Sequence, residues 1–540
     1  MTSGAEATGR GGPSLARGAA AITIAATLSR ITGFVRVVVV AAAMGTTFFA
    51  NTYQTANSAP NLLFELLAAG VLTSVFVPTF VEHLSRGQTA AAWRAADALS
   101  SIAVAALAVV AAVLALAAPL VMRLLTVGVE RPGLRAEEIA FGSDLLRLFA
   151  PQVVFYGLSM IMTAALHAHK RFALAAAAPI LNNIVVTGVY LTYAAQRSGA
   201  PPSLGSVTTA QTVVLGAGTT LGVVVMTAVL APQLYALGWR PRWRWEPHHP
   251  AVAKAARLGV WALGYAGGYQ AGLIVVLLLA NRVEGGVAAY QWAYTFFYVP
   301  HATLGVAIFN VLFPTLSEQY AKGDEVRFSR RLTDAAEMLA FVLLPVAMLL
   351  VVSGDAVAHS VLSFGAMTSS GAQLVGRTLA AFGLGLPAYS GFLAVSRAFY
   401  ARGDARTPAL VNAAAIAVSA TSGAVLFAAL GDAWSVPGLA AGHSLGFGLA
   451  AILGASLLRR RLPLEAWITP SVKRSALVTA AAGAAMVLAR ALVPVRPGLE
   501  ALVSLAAIGL TGALVYIAGM RALGARELTK ITSVLRRNPS

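Results

Sequence analysis

Residues 18–44 read GAAAITIAATLSRITGFVRVVVVAAAM, an apolar stretch that is long enough to cross a membrane core of about 30 Å. The stretch carries two arginines, Arg30 and Arg36. Placing one arginine near the middle of a bilayer helix costs about 2.5–3.5 kcal/mol on insertion scales. A helix with two such charges is expected to keep them in a polar cavity, where an anion can meet them.

Gly33 lies between the two arginines. On an α-helix, Arg30 and Arg36 project about 60° to either side of Gly33 and are about 9 Å apart along the axis. Since glycine has no side chain, the pattern predicts a notch with a guanidinium on each side. Guanidinium groups match the geometry of phosphate oxygens, so the notch is a candidate phosphate site. Alternatively, Arg36 could snorkel to the outer interface, or either arginine could pair with Glu65 as a structural contact or a latch.

Composition excludes a soluble protein. Of 540 residues, 58% are hydrophobic and 11% are charged, whereas soluble domains carry about 25% charged residues. The chain has no cysteine, which excludes disulfides and thiolate metal sites. Its eight histidines form no ligand pattern, so we expect no metal and no cofactor. No paired carboxylate, nucleophile motif or phosphate-binding glycine loop indicates an enzyme, and we expect a transporter without covalent chemistry.

Hydropathy predicts an all-α polytopic membrane protein with fourteen transmembrane helices. The spans are 18–44, 53–80, 98–122, 141–166, 173–195, 207–236, 251–280, 286–316, 332–353, 373–400, 406–430, 434–457, 471–493 and 499–520. The predicted domains are a disordered N-terminus (1–17), an N-lobe (18–236), a linker (237–250), a C-lobe (251–460), two further helices (461–520) and a basic tail (521–540). A cleaved signal peptide ending at residues 41–43 would discard both arginines, so we expect the first span to be retained.

The net charge of +18 reflects topology. With the N-terminus in the cytoplasm, 28 of the 39 lysines and arginines fall on the inner side and seven in the outer loops. This asymmetry follows the positive-inside rule and predicts cytoplasmic N- and C-termini. Because the topology accounts for the charge, we predict no nucleic-acid partner. The basic, Trp-rich segment 239–245 is expected to anchor the linker at the lipid headgroups.

The sequence contains an internal repeat. The segment PTFVEHLSRG at 78–87 recurs as PTLSEQYAKG at 314–323, an offset of 236 residues. Further echoes at similar offsets are Tyr53 with Tyr290, Tyr156 with Tyr389, Pro179 with Pro408, and Asn183 with Asn412. Spans one to six and seven to twelve are therefore expected to form two six-helix lobes as parallel repeats, with the substrate site between them. Pro60, Pro300 and Pro387 are candidate hinges, since proline removes a helix hydrogen bond.

Several of these motifs resemble the MurJ (MviN) family of lipid II flippases. They are SRITGFVR at 29–36, PNLL at 60–63 with Gly70 and Pro78, KRF at 170–172 with APILN at 178–182, and FYARGD at 399–404 with Thr407-Pro408. The resemblance implies the multidrug/oligosaccharidyl-lipid/polysaccharide exporter fold. It also implies a substrate, undecaprenyl-pyrophosphate carrying the peptidoglycan precursor, bound by Arg30 and Arg36 with Ser29, Gly33 and Asn61 as neighbours.

The chain departs from that family pattern at several positions. Many relatives carry an acidic residue where this chain has Asn51, a basic pair in place of Phe64-Glu65, and an arginine in place of Thr295. Asn51 and Glu65 are therefore candidates for a gate or an ion pair. Some relatives bind sodium through acidic residues in spans seven and eleven, whereas this chain offers Asn412 but no carboxylate in either span, so the resemblance leaves sodium coupling open.

The resulting hypothesis is a lipid II flippase of the bacterial cytoplasmic membrane that works by alternating access in cell-wall synthesis. Its expected partners are lipid II and membrane lipids, with proteins of peptidoglycan synthesis and division as candidates. Two alternatives remain open: a flippase for another lipid-linked glycan, and a non-transporting scaffold for peptidoglycan synthesis. An exporter of organic cations would be expected to line its cavity with carboxylates, which the arginines contradict.

Overall fold

The computed structural model describes residues 12–68, 88–248, 252, 267–268, 270–462 and 468–528. The helices in these segments are α1 Gly12–Met44, α2 Phe48–Ala68, α3 Thr89–Leu116, α4 Ala118–Leu125, α5 Pro132–Phe149, α6 Gln152–Ala168, α7 Ala173–Gln196, α8 Thr209–Ala228 and α9 Ala231–Ala236. They continue with α10 Gln270–Ala280, α11 Gly286–Pro300, α12 Val306–Ala321, α13 Glu325–Leu362, α14 Ser369–Ala401, α15 Arg406–Ala429, α16 Asp432–Arg459, α17 Pro470–Leu492 and α18 Leu499–Ala522. A π-helical turn, His301–Gly305, joins α11 to α12.

The all-α membrane fold predicted from hydropathy is confirmed. Twelve helical segments of the described residues are long and apolar enough to cross a membrane, and each overlaps one predicted span. The other two predicted spans, 53–80 and 251–280, lie partly outside the described residues, which contain α2 and α10 from them. Helix α1 begins at Gly12, so residues 12–17 are helical where the sequence predicted disorder. The first copy of the repeated motif, 78–87, lies outside the described residues.

The chain divides into two compact units. The first consists of Met1–Met44 and Thr52–Gln270, and the second of Gly45–Asn51 and Ala271–Ser540. The short connection between α1 and α2 thus packs as part of the second unit. The lobe and linker boundaries drawn from the sequence, at 236 and 251, stay predictions.

A shared loop geometry supports the internal repeat. In the first unit the amide of Arg171 donates to the carbonyl of Leu166 at 2.8 Å, and Lys170 has a φ of 59°. In the second unit the amide of Asp404 donates to the carbonyl of Phe399 at 3.0 Å, and Gly403 has a φ of 76°. Both are helix ends closed by a residue in the left-handed region, at equivalent positions of the two copies.

The second copy adds a carboxylate to this loop. Asp404 accepts hydrogen bonds from the backbone amide of Thr407 at 2.9 Å and from its hydroxyl at 2.7 Å, and pairs with Arg461 at 2.6 Å. The bond from the Thr407 amide, with help from Arg461, lowers the pKa of Asp404 to about 2. The FYARGD motif with its following threonine is therefore a helix stop joined to a helix start.

An aromatic contact also recurs in each unit. Tyr53 packs edge-on against Phe149 with ring centroids 5.6 Å apart, and Tyr290 packs edge-on against Phe382 at 5.0 Å. The two tyrosines were matched from the sequence, and the two phenylalanines are 233 positions apart, like the loop residues. The repeat is therefore visible in the contacts of each unit taken by itself.

Small residues allow the helices of the second unit to approach closely. A Cβ added to Gly442 of α16 would lie 2.4 Å from the backbone of Gly423 in α15, and one added to Gly446 would lie 2.3 Å from the carbonyl of Ala415. Lipid provides little hydrophobic drive for helices to associate, so close van der Waals contact between small residues has to hold them together.

The basic segment 239–245 is fixed to α3 by a buried carboxylate. Asp97 accepts hydrogen bonds from the indole Nε1 of Trp239 at 3.0 Å and from the backbone amide of Arg242 at 3.3 Å. The backbone amide of Arg244 donates to Ser101 Oγ at 2.9 Å. Trp239 is buried, whereas Trp243 and Trp245 are exposed, as an anchor at the headgroups requires. The segment is thus both docked to the first unit and able to meet lipid.

Candidate functional site

The arginines of α1 point away from its exposed apolar face. That face is formed by Ile24, Leu28, Ile31 and Val35. At 100° per residue, Arg30 projects about 130° from the centre of this stripe and Arg36 about 110° from it, on the other side of the helix. Arg30 is exposed and Arg36 is half-buried. The charges are therefore separated from the side of the helix suited to acyl chains.

The notch predicted at Gly33 is filled by protein. The side chain of Asn183 in α7 donates from Nδ2 to the carbonyl of Ser29 and to the hydroxyl of Thr32, both at 3.1 Å. The same Nδ2 lies 3.4 Å from the position that a Cβ on Gly33 would take. Because Gly33 has no side chain, α7 can pack closely against α1 at this point, and no open notch is left. Gly33 and Ser29 thus serve helix packing in this structure, and the arginines project to either side of that contact.

Arg36 lies beside a group of tyrosines in the first unit. Its guanidinium interacts electrostatically with the hydroxyls of Tyr53, Tyr156 and Tyr190. The hydroxyl of Tyr53 is 3.1 Å from that of Tyr190 and 2.7 Å from Thr219 Oγ1. Because Thr219 Oγ1 donates to the carbonyl of Leu215, Tyr53 donates to Thr219 and Tyr190 donates to Tyr53. The cluster is therefore a buried, uncharged polar wall beside Arg36, and its hydroxyl protons are already used.

Helices α1 and α7 run parallel and present this group together. Asn183 donates to Ser29 and Thr32 of α1, and Tyr190, two turns further along α7, lies within electrostatic range of Arg36. Since the contacts advance in the same direction along both helices, their axes have the same sense. Sequence reasoning listed Tyr53, Tyr156 and Asn183 as repeat positions, but did not assign them to the arginine site. Their recurrence was the available signal, since residues retained in both copies mark packing or function.

The other candidate residues of α2, Glu65 and Asn61, form hydrogen bonds with neighbouring protein groups. Glu65 is exposed, and its Oε2 accepts a hydrogen bond from Gln270 Nε2 at 2.7 Å. Asn61 donates from Nδ2 to the carbonyl of Asn57 at 3.3 Å, along its own helix. Pro60 is buried inside α2. An arginine partner for Glu65 and a substrate contact for Asn61 remain predictions.

Asn51 is fully buried in the second unit and caps a helix. Its Nδ2 donates to the carbonyl of Val283 at 2.8 Å, and its Oδ1 accepts from the amide of Val287 at 3.0 Å. Val287 lies in the first turn of α11, whose amides lack partners within the helix. The side chain thus fastens the connection between α1 and α2 to the start of α11.

The positions that differ in charge from the family pattern are satisfied locally. Phe64 packs against Tyr156 with ring centroids 5.4 Å apart. The hydroxyl of Thr295 donates to the carbonyl of Gln291 at 3.0 Å, one turn earlier in α11. Neither position brings a further charge to the site.

The candidate hinges differ in local geometry. Pro300 is followed directly by the π-helical turn, so the helix is irregular there. Pro387 lies within the continuous helix α14. A residue that was not predicted, Ser353, has non-helical angles (φ −119°, ψ 17°) inside α13. The hinge roles of Pro60, Pro300 and Pro387 stay predictions. Among the described residues, no group of three or more His, Asp or Glu side chains is placed to hold a metal ion.

Comparison with known proteins identifies the family. A family model described as "Lipid II flippase MurJ" matches residues 40–504. The chain belongs to the MurJ family. A probable lipid II flippase MurJ of Rhizobium tropici is 30% identical over 406 residues, covering 75% of this chain and 74% of the relative.

Solved structures of low identity support the fold. A lipid II flippase MurJ in an inward closed conformation has a TM-score of 0.73 at 19% identity, covering 94% of this chain and 99% of that one. An inward-facing multidrug resistance MATE family transporter of the MOP superfamily has a TM-score of 0.64 at 12% identity, covering 80% and 94%. The chain is thus a multi-pass membrane protein of a transporter family and fold. The family match begins at residue 40, so it does not include Arg30 and Arg36.

Proposed function

We propose that this protein is a lipid II flippase, which moves the undecaprenyl-pyrophosphate-linked peptidoglycan precursor from the inner to the outer leaflet of the cytoplasmic membrane. The observation that carries the proposal is membership of the MurJ family, on a match over residues 40–504. The structure adds a pair of arginines on the first helix, directed away from its apolar face. A transporter of a lipid-linked diphosphate needs permanent cations of this kind.

In this proposal Arg30 and Arg36 bind the pyrophosphate, and the buried hydroxyls near Arg36 provide an uncharged polar wall beside it. Guanidinium groups provide paired N–H donors that match the phosphate oxygens. Asn183 sets the spacing, because it fixes α7 against α1 between the two arginines. The polyprenyl chain stays in the lipid throughout. No covalent bond is made or broken.

The membrane potential supplies a driving force. Moving one negative charge outward across a membrane with an inside-negative potential of 100 mV is favourable by about 2.3 kcal/mol. A pyrophosphate that carries its charge across can therefore be driven without ATP. The charge asymmetry of the loops supports cytoplasmic termini, so the inner loops would meet the enzymes of peptidoglycan synthesis and division.

The function is tested in cells whose own flippase is depleted and replaced by this chain. Labelled lipid II is then assayed in each leaflet by adding an enzyme that cleaves it from outside. We expect lipid II to become accessible outside and growth to continue. Growth without outward lipid II would favour the scaffold, and outward movement of a different lipid-linked glycan would favour a flippase of other specificity.

Asn51 is proposed as a gate residue, since it fastens the connection between α1 and α2 to α11. Alanine at this position leaves the carbonyl of Val283 and the amide of Val287 without their partner, at a cost of about 1–3 kcal/mol for a buried group. We expect this connection to open more often. Because the chain has no cysteine, a single Val283→Cys reporter can be labelled with a membrane-impermeant maleimide, and the rate should rise about tenfold for about 1.4 kcal/mol.

Asn61→Ala is the matched control, because the Asn61 amide donates to a carbonyl of its own helix, that of Asn57. Its labelling rate should equal that of the reporter alone. Equal rates in Asn51→Ala and the reporter would show that this side chain does not hold the connection closed.

A further inference from the structure

A polar cavity of about 960 Å³ lies in the second unit, where α12, α13, α17 and the end of α18 meet. Five arginines line it: Arg327, Arg330, Arg331, Arg474 and Arg526. They face three carboxylates, so the lining carries a net charge of +2. This end of the helices is on the side that the loop charges predict to be cytoplasmic.

The lining is suited to a polar ligand. Among the described residues, the lining contains no aliphatic or aromatic side chain apart from the ring of Pro470. An acyl chain would gain nothing from burial here, because apolar contact is what stabilises it. The cavity is therefore suited to a charged group in water or at the headgroup level.

Most of the arginines that line the cavity form no close ion pair within the described residues. Arg330, Arg331, Arg474 and Arg526 take part in none of the ion pairs found within the described residues. Arg474 donates to the carbonyl of Leu523 at 3.0 Å, which fixes its guanidinium at the cavity. A cavity with an excess of guanidinium groups, one of them fixed, favours an oxyanion with several acceptor oxygens.

Three buried polar atoms of the lining lack hydrogen-bond partners among the described residues. They are Arg474 Nε, Glu527 Oε2 and Gln319 Oε1. Glu527 is only 3% exposed, so its second oxygen is a costly acceptor to leave unsatisfied. A ligand that satisfies all three atoms has to accept a hydrogen bond from Arg474 Nε and donate hydrogen bonds to Glu527 Oε2 and Gln319 Oε1.

The start of α17 adds to the preference for an anion. This helix begins at Pro470 beside the cavity, with Thr469 Oγ1 accepting from the amide of Val472 at 3.3 Å. The first amides of a helix carry a partial positive charge. The dipole and the arginines therefore act on the same volume.

We propose that this cavity binds a phosphate group that carries neighbouring hydroxyls. The phosphate oxygens accept from Arg474, Arg330 and Arg331, while the hydroxyls donate to Glu527 Oε2 and Gln319 Oε1. Two sources share this chemistry: a soluble polyol phosphate of the cytoplasm, and the phosphoglycerol headgroup of an anionic lipid. The site is separate from Arg30 and Arg36, and does not depend on the proposed transport.

The test uses the purified full chain in detergent at low salt, titrated calorimetrically with glycerol 1-phosphate and with inorganic phosphate. We expect glycerol 1-phosphate to bind more tightly. Arg330→Gln/Arg474→Gln should weaken binding of both by about tenfold or more, since hydrogen bonds to charged groups are the strong ones. Glu527→Gln should reduce the preference for glycerol 1-phosphate, because the amide nitrogen opposes a hydroxyl donor.

A lipid arm distinguishes the two sources. The chain is released from bilayers of phosphatidylglycerol or phosphatidylcholine, and retained lipid is counted by native mass spectrometry. Retention of phosphatidylglycerol alone, lost in the arginine variant, with no binding of glycerol 1-phosphate, would assign the site to a headgroup. Binding of glycerol 1-phosphate with no selective lipid retention would assign it to a soluble ligand.

Two controls keep the test decisive. Arg171→Gln/Arg460→Gln removes the same charge at exposed positions outside the cavity and should bind as the parent chain does. Arg330→Gln/Arg331→Gln changes two exposed arginines of the cavity. If the variant that contains Arg474→Gln does not fold, the titration is made with this second variant. The proposal is overturned if neither arm shows binding, or if the cavity variants and the outside control bind equally.

Discussion

With alanine at both Arg30 and Arg36, the chain is expected to lose at least about 100-fold in the rate at which lipid II reaches the outer leaflet. Each charge-assisted hydrogen-bonded contact contributes about 1.5–3 kcal/mol, and two contacts to one pyrophosphate give about 3–6 kcal/mol. No other arginine lies near Gly33 in the sequence to replace them. The measurement is the leaflet assay in depleted cells, normalised to the amount of protein in the membrane.

Arg147→Ala/Arg377→Ala is the matched control for this variant. Arg147 pairs with Asp144 at 2.8 Å on an exposed surface, and Arg377 lies over the ring of Trp434 at 5.2 Å. Removing these two charges changes the net charge equally and leaves α1 intact. Its rate should stay within about twofold of the parent, because exposed pairs contribute about 0–1 kcal/mol.

Lysine at the two positions separates charge from geometry. Arg30→Lys/Arg36→Lys keeps both charges but loses the paired N–H donors. An intermediate rate is expected, since lysine binds a phosphate as a point charge. Normal transport by the double alanine variant would end the assignment of the pyrophosphate to α1. An unstable variant would be recognised by its reduced thermal midpoint in detergent.

The fold could be predicted because its causes are local. The spans predicted at 373–400 and 406–430 could be recognised from their length and apolar composition alone. The repeat could be recognised from the similar offsets between matching tyrosines and prolines. The helix ends could not be placed as well. Helix α1 begins at Gly12, and α13 runs from Glu325 to Leu362, beyond the apolar window at both ends. Hydropathy marks the membrane core, whereas capping and tertiary contacts decide where a helix stops.

Only the charged residues of the candidate site could be predicted from the sequence. The cost of burying Arg30 and Arg36 is a property of each residue, so the sequence reveals it. What occupies the space between them is a property of packing. Glycine permits either an open notch or a close neighbour, and the structure has the neighbour, Asn183, at 3.4 Å from the Cβ position of Gly33. The contact between Gly33 and Asn183 could be predicted only with the knowledge that α1 and α7 are adjacent.

Asp97 illustrates the same limit. In sequence it is one carboxylate among polar residues at the start of a span. In the structure it is buried and accepts from Trp239 Nε1 and from the amide of Arg242, 145 positions later. The Trp-Arg segment was predicted as a lipid anchor from its composition. Its attachment to α3 depends on a single residue far away in the chain.

Replacing Asp97 with alanine is therefore expected to release the segment 239–245. Loss of the acceptor leaves a buried indole N–H and a backbone amide unpaired, which costs about 2 kcal/mol, or about 30-fold in the open population. Limited trypsin digestion in detergent reports this directly, since the peptide bonds after Arg242 and Arg244 become available. We expect cleavage there to be about 30-fold faster than in the parent chain.

Asp144→Ala is the control, because it removes a carboxylate whose partner, Arg147, is exposed. Its cleavage rate after Arg242 and Arg244 should match that of the parent chain. An unchanged rate in a folded Asp97→Ala variant would mean that stacking of Trp93 on Trp239, with centroids 6.0 Å apart, holds the segment by itself.

Asparagine at position 97 identifies which interaction of the carboxylate matters. Its Oδ1 can still accept from Trp239, whereas its charge toward Arg244, whose Nε lies 3.7 Å from Asp97 Oδ2, is lost. Arg244 is partly exposed, so this pair contributes about 0–1 kcal/mol. Cleavage of Asp97→Asn should therefore rise less than about fivefold. A rate equal to that of the alanine variant would instead make the charge, and not the hydrogen bond to Trp239, the contact that holds the segment in place.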